Sequence, residues 1–106
     1  MLALAIPNFM GSRYLGCLLN SLEANRPHVR CRIQDGGSTD TSIDIVRSLI
    51  GPRDQVVVEC DSGQADALNR AINGMGGEII GYINSDDLLA PGAARTVLDT
   101  FAGRGA

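Results

Sequence analysis

Lysine is absent from this chain of 106 residues, and all nine of its basic residues are arginine. That excludes a lysine nucleophile, a Schiff base and the lysine of a phosphate-binding P-loop. There is one histidine, His28, which reads as a loop residue beside Pro27 in an Asn25-Arg26-Pro27 turn. The three cysteines, Cys17, Cys31 and Cys60, are odd in number, widely spaced and form no C-x-x-C. They read as small buried hydrophobes in a reducing compartment, and neither a disulfide frame nor a zinc site fits them. No basic run and no aromatic–basic interleaving exists, and the net charge is −3, so nucleic acid is not an expected partner. No stretch approaches the ~18–20 apolar residues of a membrane span. Met1 to Ile6 is apolar but too short for a signal segment and has no basic flank. A soluble, cytoplasmic chain without a membrane span is expected.

What is present suits one modest domain covering residues 1–106. Hydrophobic residues make up 44% and charged residues 20%, ordinary globular usage. Leu2 to Ile6 is a continuous apolar run ended by Pro7-Asn8, as in a strand covered on both faces. Ser12 is placed to cap a helix to Ala24 whose buried stripe is Tyr14, Leu15, Leu18, Leu19 and Leu22. Val29 to Gln34 alternates apolar with polar residues and predicts a strand with one wetter face, nearer an edge. A second helix runs to Ile50, with Ile43, Val46, Leu49 and Ile50 inward, and stops at Gly51-Pro52. Gln55 to Glu59 is a third strand. Ser62 or Gly63 opens a third helix with Ala67, Leu68, Ala71 and Ile72 on one face. Glu78 to Ile83 is a fourth strand, and Pro91 fits the first turn of a fourth helix reaching Phe101. Strict β-α alternation with short links predicts an α/β fold: four parallel strands with helices on both faces.

In such a sheet, ligands bind beyond the carboxyl ends of the strands. Those ends carry Pro7-Asn8, then Asp35-Gly36-Gly37-Ser38-Thr39-Asp40, then Asp61-Ser62-Gly63-Gln64, then Asn84-Ser85-Asp86-Asp87. Asp35 is placed either to accept hydrogen bonds from a sugar hydroxyl or a uracil imide, or to serve as a turn residue, with Ser38 or Thr39 capping the next helix. Asp86 and Asp87 would repel at the rim of a buried sheet. They read either as a solvated turn or as a seat for a hard divalent cation, which takes carboxylate and phosphate oxygens. Gln64, Asp66 and Asn69 lie on the third helix, with Asn69 in reach of Asp66 and Arg70 forming a plain i,i+4 ion pair with it. G-x-G-x-x-G, Walker and nucleophile-elbow motifs are all missing. Carboxylates and glycine turns without a nucleophile suit metal-assisted handling of a pyrophosphate.

The segments IPNFMGSRYLGCLLNSL, IQDGGSTDTSIDIV, DSGQADALNRAI and GEIIGYINSDDLLAPGA together resemble the nucleotide-sugar half of a family-2 glycosyltransferase with the Rossmann-like GT-A fold. The resemblance spans the chain. It implies an inverting transferase that moves a sugar from a nucleoside-diphosphate donor, a UDP-sugar in the first instance, to a saccharide or lipid-linked acceptor hydroxyl, with Mg²⁺ or Mn²⁺ as cofactor. By that resemblance Pro7, Asn8 and Phe9 line the base pocket, and Asp35 binds the base or ribose. Gln64, Asp66 and Asn69 approach the nucleotide and sugar. Asn84-Ser85-Asp86 stands at the family's D-x-D, so Asp86, with Asp87 beside it, holds the metal.

Two departures stand out. Asn84 replaces the leading aspartate of D-x-D, which leaves it able to bond a ribose hydroxyl but adds no charge. The family's catalytic base lies in a later half that nothing here matches, so no catalytic residue is identified and sugar transfer by this chain alone is expected to be poor. The alternatives are a non-catalytic nucleotide-binding module, self-associating through an exposed sheet edge, and a nucleotidyltransferase-like α/β enzyme. The latter usually carries a basic, glycine-rich loop where this chain has Pro7-Asn8-Phe9.

Overall fold

Alternation along β1 (Leu2–Asn8) organises the molecule, because all seven of its residues are buried. The computed structural model describes residues 2–26, 28–75 and 79–103. Leu2, Leu4 and Ile6 share one core cluster with Leu15, Leu18, Leu19 and Leu22 of α1 (Ser12–Glu23). Val29, Cys31 and Ile33 of β2 (Val29–Asp35), Val46 of α2 (Ser42–Leu49) and Ala94 of α4 (Ala93–Gly103) complete it. The intervening Ala3 and Ala5 belong to the other face, where α3 (Gln64–Asn73) packs on β1 and β2 and buries Ala67 and Ala71. Small residues on both sides let this helix lie close to the sheet. Helices therefore cover both faces, as the β-α alternation predicts.

The sheet order is β3-β2-β1-β4, all parallel, with β3 at Gln55–Val58 and β4 at Ile79–Tyr82. Strand β1 runs two residues beyond the predicted Ile6. Pro7 is tolerated because β4 pairs only with Leu2 to Ala5, so the missing N–H falls beyond that ladder. Strand β2 is interior and not an edge. Its wetter start has a simple cause: β3 is short and pairs only with Arg32 to Asp35, leaving Arg30 and Cys31 outside that ladder. Glu78, Pro27 and the Gly76-Gly77 end of the third helix, all part of the sequence reading, lie outside the described residues.

Several local expectations change. Ser12 is the first residue of α1, not its cap, and neither Ser38 nor Thr39 caps α2. One carboxylate serves both helices: Asp40 accepts the Ser12 N–H at 3.1 Å and the Ser42 N–H at 2.9 Å. These bonds, the Ser42 contact foremost, lower the Asp40 pKa from 3.8 to about 2. Pro91 precedes α4, whose first helical bond runs from Thr96 N to Gly92 O. Tyr14 and Ile72 are exposed, outside the stripes predicted for them. Of the cysteines only Cys31 is buried; Cys17 and Cys60 are exposed, and all three are free thiols.

At the amino end of the sheet, the Asp54 carboxylate is inaccessible and takes four donors: both terminal nitrogens of Arg26 and the N–H groups of Gly51 and Cys31. Burial raises the Asp54 pKa, but the Arg26 hydrogen bond and the two backbone donors outweigh it, and the net shift is downward. Asn25, also buried, donates to Ala90 O and accepts from Ala94 N, which pins the segment after β4 to α1. Among the described residues no helix is long and apolar enough to cross a membrane.

Candidate functional site

The strand register places Asn8 beside Asp35 at the carboxyl edge. Asp35 is fully buried, and each of its oxygens accepts two hydrogen bonds. Oδ1 takes Asn8 Nδ2 and Ser38 Oγ, both at 2.8 Å. Oδ2 takes the N–H groups of Gly37 at 3.0 Å and Ser38 at 2.7 Å. These four bonds shape the DGGSTD turn and orient Asn8. Gly37 makes that turn at φ +94°, a conformation that suits glycine.

Asn8 is buried, and its Oδ1 has no hydrogen-bond partner among the described residues. It converges with Ser85 Oγ on Gly11, where a Cβ would lie 2.8 Å from Ser85 Oγ and closer still to Asn8 Oδ1. Glycine at position 11 thus lets the loop after β1 meet the loop after β4. Met10, at φ +56°, straps the same loop to the DGGSTD turn: its N–H donates to Ser38 Oγ at 2.8 Å, and its sulfur accepts the Thr39 N–H.

Two aspartates shape the third strand end. Asp61 Oδ1 accepts the Gly63 N–H at 3.0 Å, and Asp66 Oδ2 accepts the Ser62 N–H at 2.9 Å. Gly63, at φ +129°, is the residue from which α3 starts. The Ser62 N–H and then Arg70 hold the Asp66 pKa down. The expected Asp66–Arg70 pair forms, and Arg70 also reaches Glu59 at 3.4 Å, tying α3 to the end of β3. Asn69 is exposed and makes no bond to Asp66. Gln64 Nε2 donates to Asn84 Oδ1, joining α3 to the loop after β4.

That last loop is a turn closed by Asp87 N donating to Asn84 O at 3.0 Å. With the other three it encloses a cleft of about 930 Å³. Pro7, Asn8, Phe9, Gly11 and Tyr14 form one wall. Gly36, Gly37 and Cys60 to Gln64, with Ala67, form the second, and Asn84, Ser85 and Asp86 the third. Seven predicted residues therefore meet here: Pro7, Asn8, Phe9, Gln64, Asn84, Ser85 and Asp86. Asp35 lies beneath the cleft, and Asp66, Asn69 and Asp87 stand outside its lining. Asp61 and Tyr14 were missed as site residues. Asp61 had a signal, the aspartate that opens the polar cluster after β3; so had Tyr14, an aromatic in the first turn of α1 at the carboxyl edge, with Arg13 over its ring at 5.3 Å.

The donor set Asn84 Oδ1, Ser85 Oγ and Asp86 is all oxygen, which suits Mg²⁺ or Mn²⁺. Among the described residues no group of three His, Cys, Asp or Glu side chains gathers to hold an ion. The residues therefore fit a cation held by one carboxylate and completed by phosphate and water oxygens, and do not fit an all-protein cage.

Comparison with known proteins agrees with this fold. Chondroitin synthase of Escherichia coli is 30% identical over 104 residues, covering 95% of this chain and 15% of the synthase. The crystal structure of S. aureus TarS 1–349 superposes with a TM-score of 0.84 at 21% identity, over 96% of this chain and 32% of TarS 1–349. Mannosyltransferase PcManGT from Pyrobaculum calidifontis, solved with GDP-Man and Mn²⁺, gives a TM-score of 0.77 at 24% identity, over 91% of this chain and 31% of its own. The chain thus spans a third or less of each of these relatives. Residues 4–106 match the sequence profile described as Glycosyl transferase family 2, and the chain belongs to that family.

Proposed function

We propose that this chain binds the nucleoside-diphosphate sugar for an inverting transfer to an acceptor hydroxyl. The observation that carries the reading is one cleft that draws residues from all four strand ends, with Asp86 on one wall and, on another, the buried Asn8 Oδ1, unpartnered among the described residues. An orphaned acceptor of this kind is costly without a ligand donor or water. Pro7 and Phe9 offer apolar surface for a base. Asp35, through its bonds to Asn8 and Ser38, keeps the base-side wall in shape. Asp66 and Asn69 act at one remove, Asp66 by holding the start of α3.

Asp86, with Asn84 and Ser85 beside it, would hold Mg²⁺ or Mn²⁺, and Asp87 adds negative charge from outside the lining. The cation supplies charge neutralisation of the diphosphate leaving group. TarS has also been solved with UDP-GlcNAc, at 24% identity to this chain, and PcManGT with GDP-Man and Mn²⁺. These complexes support a sugar nucleotide, UDP-linked in the first instance, and the likeness to chondroitin synthase supports a saccharide acceptor. Self-association through the outer edge of β4 belongs to the same reading, since no described strand pairs there.

The test is calorimetric titration of UDP- and GDP-sugars into the chain, in Mn²⁺ and again in EDTA. Binding that depends on Mn²⁺ is expected. Equal affinity in EDTA would remove the cation, and no binding in either condition would remove the reading as a whole.

A further inference from the structure

We propose that Ser21 and Asn25 are positioning residues for the cation seat: from the far end of α1 they hold the segment after β4 and so fix where Asp86 stands. This rests on the nucleotide-binding reading above. Ile83 donates to Ala5 O of β1, and there the chain leaves the sheet. From Asp86 to Gly92 it is exposed except at Leu89, which packs against the core. The bonds inside this segment, Asp87 N–H to Asn84 O and Ala93 N–H to Ala90 O, close local turns and tie it to no other element. Pro91 and Gly92 bring no capping side chain to α4. Among the described residues, the hydrogen bonds that do tie the segment to other elements come from three side chains. One is Gln64, itself in the cleft lining. The other two are Ser21 and Asn25.

The chemistry of the two side chains suits a clamp. Ser21 Oγ accepts the Leu89 N–H at 3.0 Å while donating to Leu18 O at 2.6 Å. Asn25 is buried, and its amide works in both directions: Nδ2 donates to Ala90 O at 3.1 Å, and Oδ1 accepts the Ala94 N–H at 2.9 Å. Aspartate in its place would lack the donor and bury a charge. The Ala94 N–H belongs to the first turn of α4, where backbone donors need partners from outside the helix. Asn25 therefore caps α4 from α1, and the two residues together grip the chain on the far side of the turn that carries Asp86. Ser21 stands roughly 14 Å along α1 from Ser12, and neither residue lines the cleft. Any effect on a nucleotide must travel through the segment. A metal ligand that is held loosely binds its ion less tightly.

The experiment measures UDP affinity in Mn²⁺ by calorimetry for wild type, Ser21→Ala, Ser21→Thr and Asn25→Ala, and for Ser21→Ala combined with Asp86→Ala. Backbone order parameters from NMR follow residues 84–87, and each variant is read well below its melting temperature. Ser21→Ala and Asn25→Ala are expected to weaken UDP roughly fivefold, about what one hydrogen bond is worth. Order parameters over 84–87 should fall while those of β1 hold. Ser21→Thr keeps the hydroxyl and should bind UDP within about twofold of wild type. With Asp86 already replaced, Ser21→Ala should cost nothing further. A lower Tm with UDP affinity and the 84–87 order parameters unchanged would make the clamp a structural brace only, and the proposal falls. It falls equally if Ser21→Ala weakens UDP by the same factor with and without Asp86. Wild type that binds no UDP, in Mn²⁺ or in EDTA, overturns the nucleotide reading itself, and this inference with it.

Discussion

Asn8 donates to Asp35 and leaves its Oδ1 buried next to Gly11 and unpartnered among the described residues, so the space at residue 11 governs the cleft wall. Gly11→Ala forces Asn8 or Ser85 aside. Asn8 cannot yield without breaking its bond to Asp35, and overpacking of this sort typically costs ~1–3 kcal/mol. The expected outcome is a lower Tm together with weaker UDP binding. Gly16→Ala is the control, because a Cβ there meets Ile45 Cγ2 at an ordinary 3.7 Å and, among the described residues, nothing closer. In a helix interior that change is expected to stabilise by roughly 0.5–1 kcal/mol and leave UDP affinity unchanged. Thermal denaturation and calorimetry on both variants check the pair. At this scale the sequence was half legible. Pro7, Asn8, Phe9, Gln64 and the Asn84–Asp86 run could be placed on the cleft because strand ends could be read. That Asp35 is saturated could not, because its donors Asn8 and Ser38 come from a different strand and from the turn itself, and only the register brings them together.

Helix starts are where elements depart most from the sequence. Ser12, Ser38 and Thr39 are good cap residues by type, yet Asp40 does the work for α1 and α2 together. Local propensity scores a residue against its own helix, and nothing in it registers a carboxylate shared with a second helix far along the chain. The pH consequence follows. The folded pKa of Asp40 is lowered from 3.8 to about 2, so its contribution is complete above the unfolded value and is lost as pH falls from about 4 toward 2. Asp40→Asn is expected to flatten the stability profile in that window and leave its shape above pH ~5 alone. Acid titration followed by circular dichroism measures it, and an unchanged slope would show that Asp40 does not join the two helices. The buried stripe of α1 was legible because four leucines repeat at helical spacing. Tyr14 was assigned to the stripe by the same spacing, but its ring lies at the rim where the cleft begins.

Over the whole molecule, β-α alternation was sufficient for a parallel four-stranded sheet with helices on both faces. The order β3-β2-β1-β4 was not read, and β2 was set near an edge because its polar face looked wet. That face is wet only because β3 is too short to reach its start. The outer edge of β4 has no partner among the described strands, and Ile80 and Tyr82 stand exposed on it. Unpaired apolar edges recruit other chains, so light scattering after size exclusion is expected to show association that grows with concentration. Tyr82→Lys should reduce it, and a monomer at all concentrations would leave the edge without that role.

Nucleotide binding depends most on where a cation sits relative to the sheet. Titrating UDP calorimetrically in Mn²⁺ into wild type, Asp86→Ala and Asp87→Ala tests this directly. Asp86 lines the cleft and Asp87 does not. Asp86→Ala should therefore lose roughly tenfold or more in affinity along with its dependence on Mn²⁺, while Asp87→Ala stays within a few fold of wild type. Equal UDP affinity in wild type and Asp86→Ala, each still dependent on Mn²⁺, would show that the cation sits elsewhere than at Asp86.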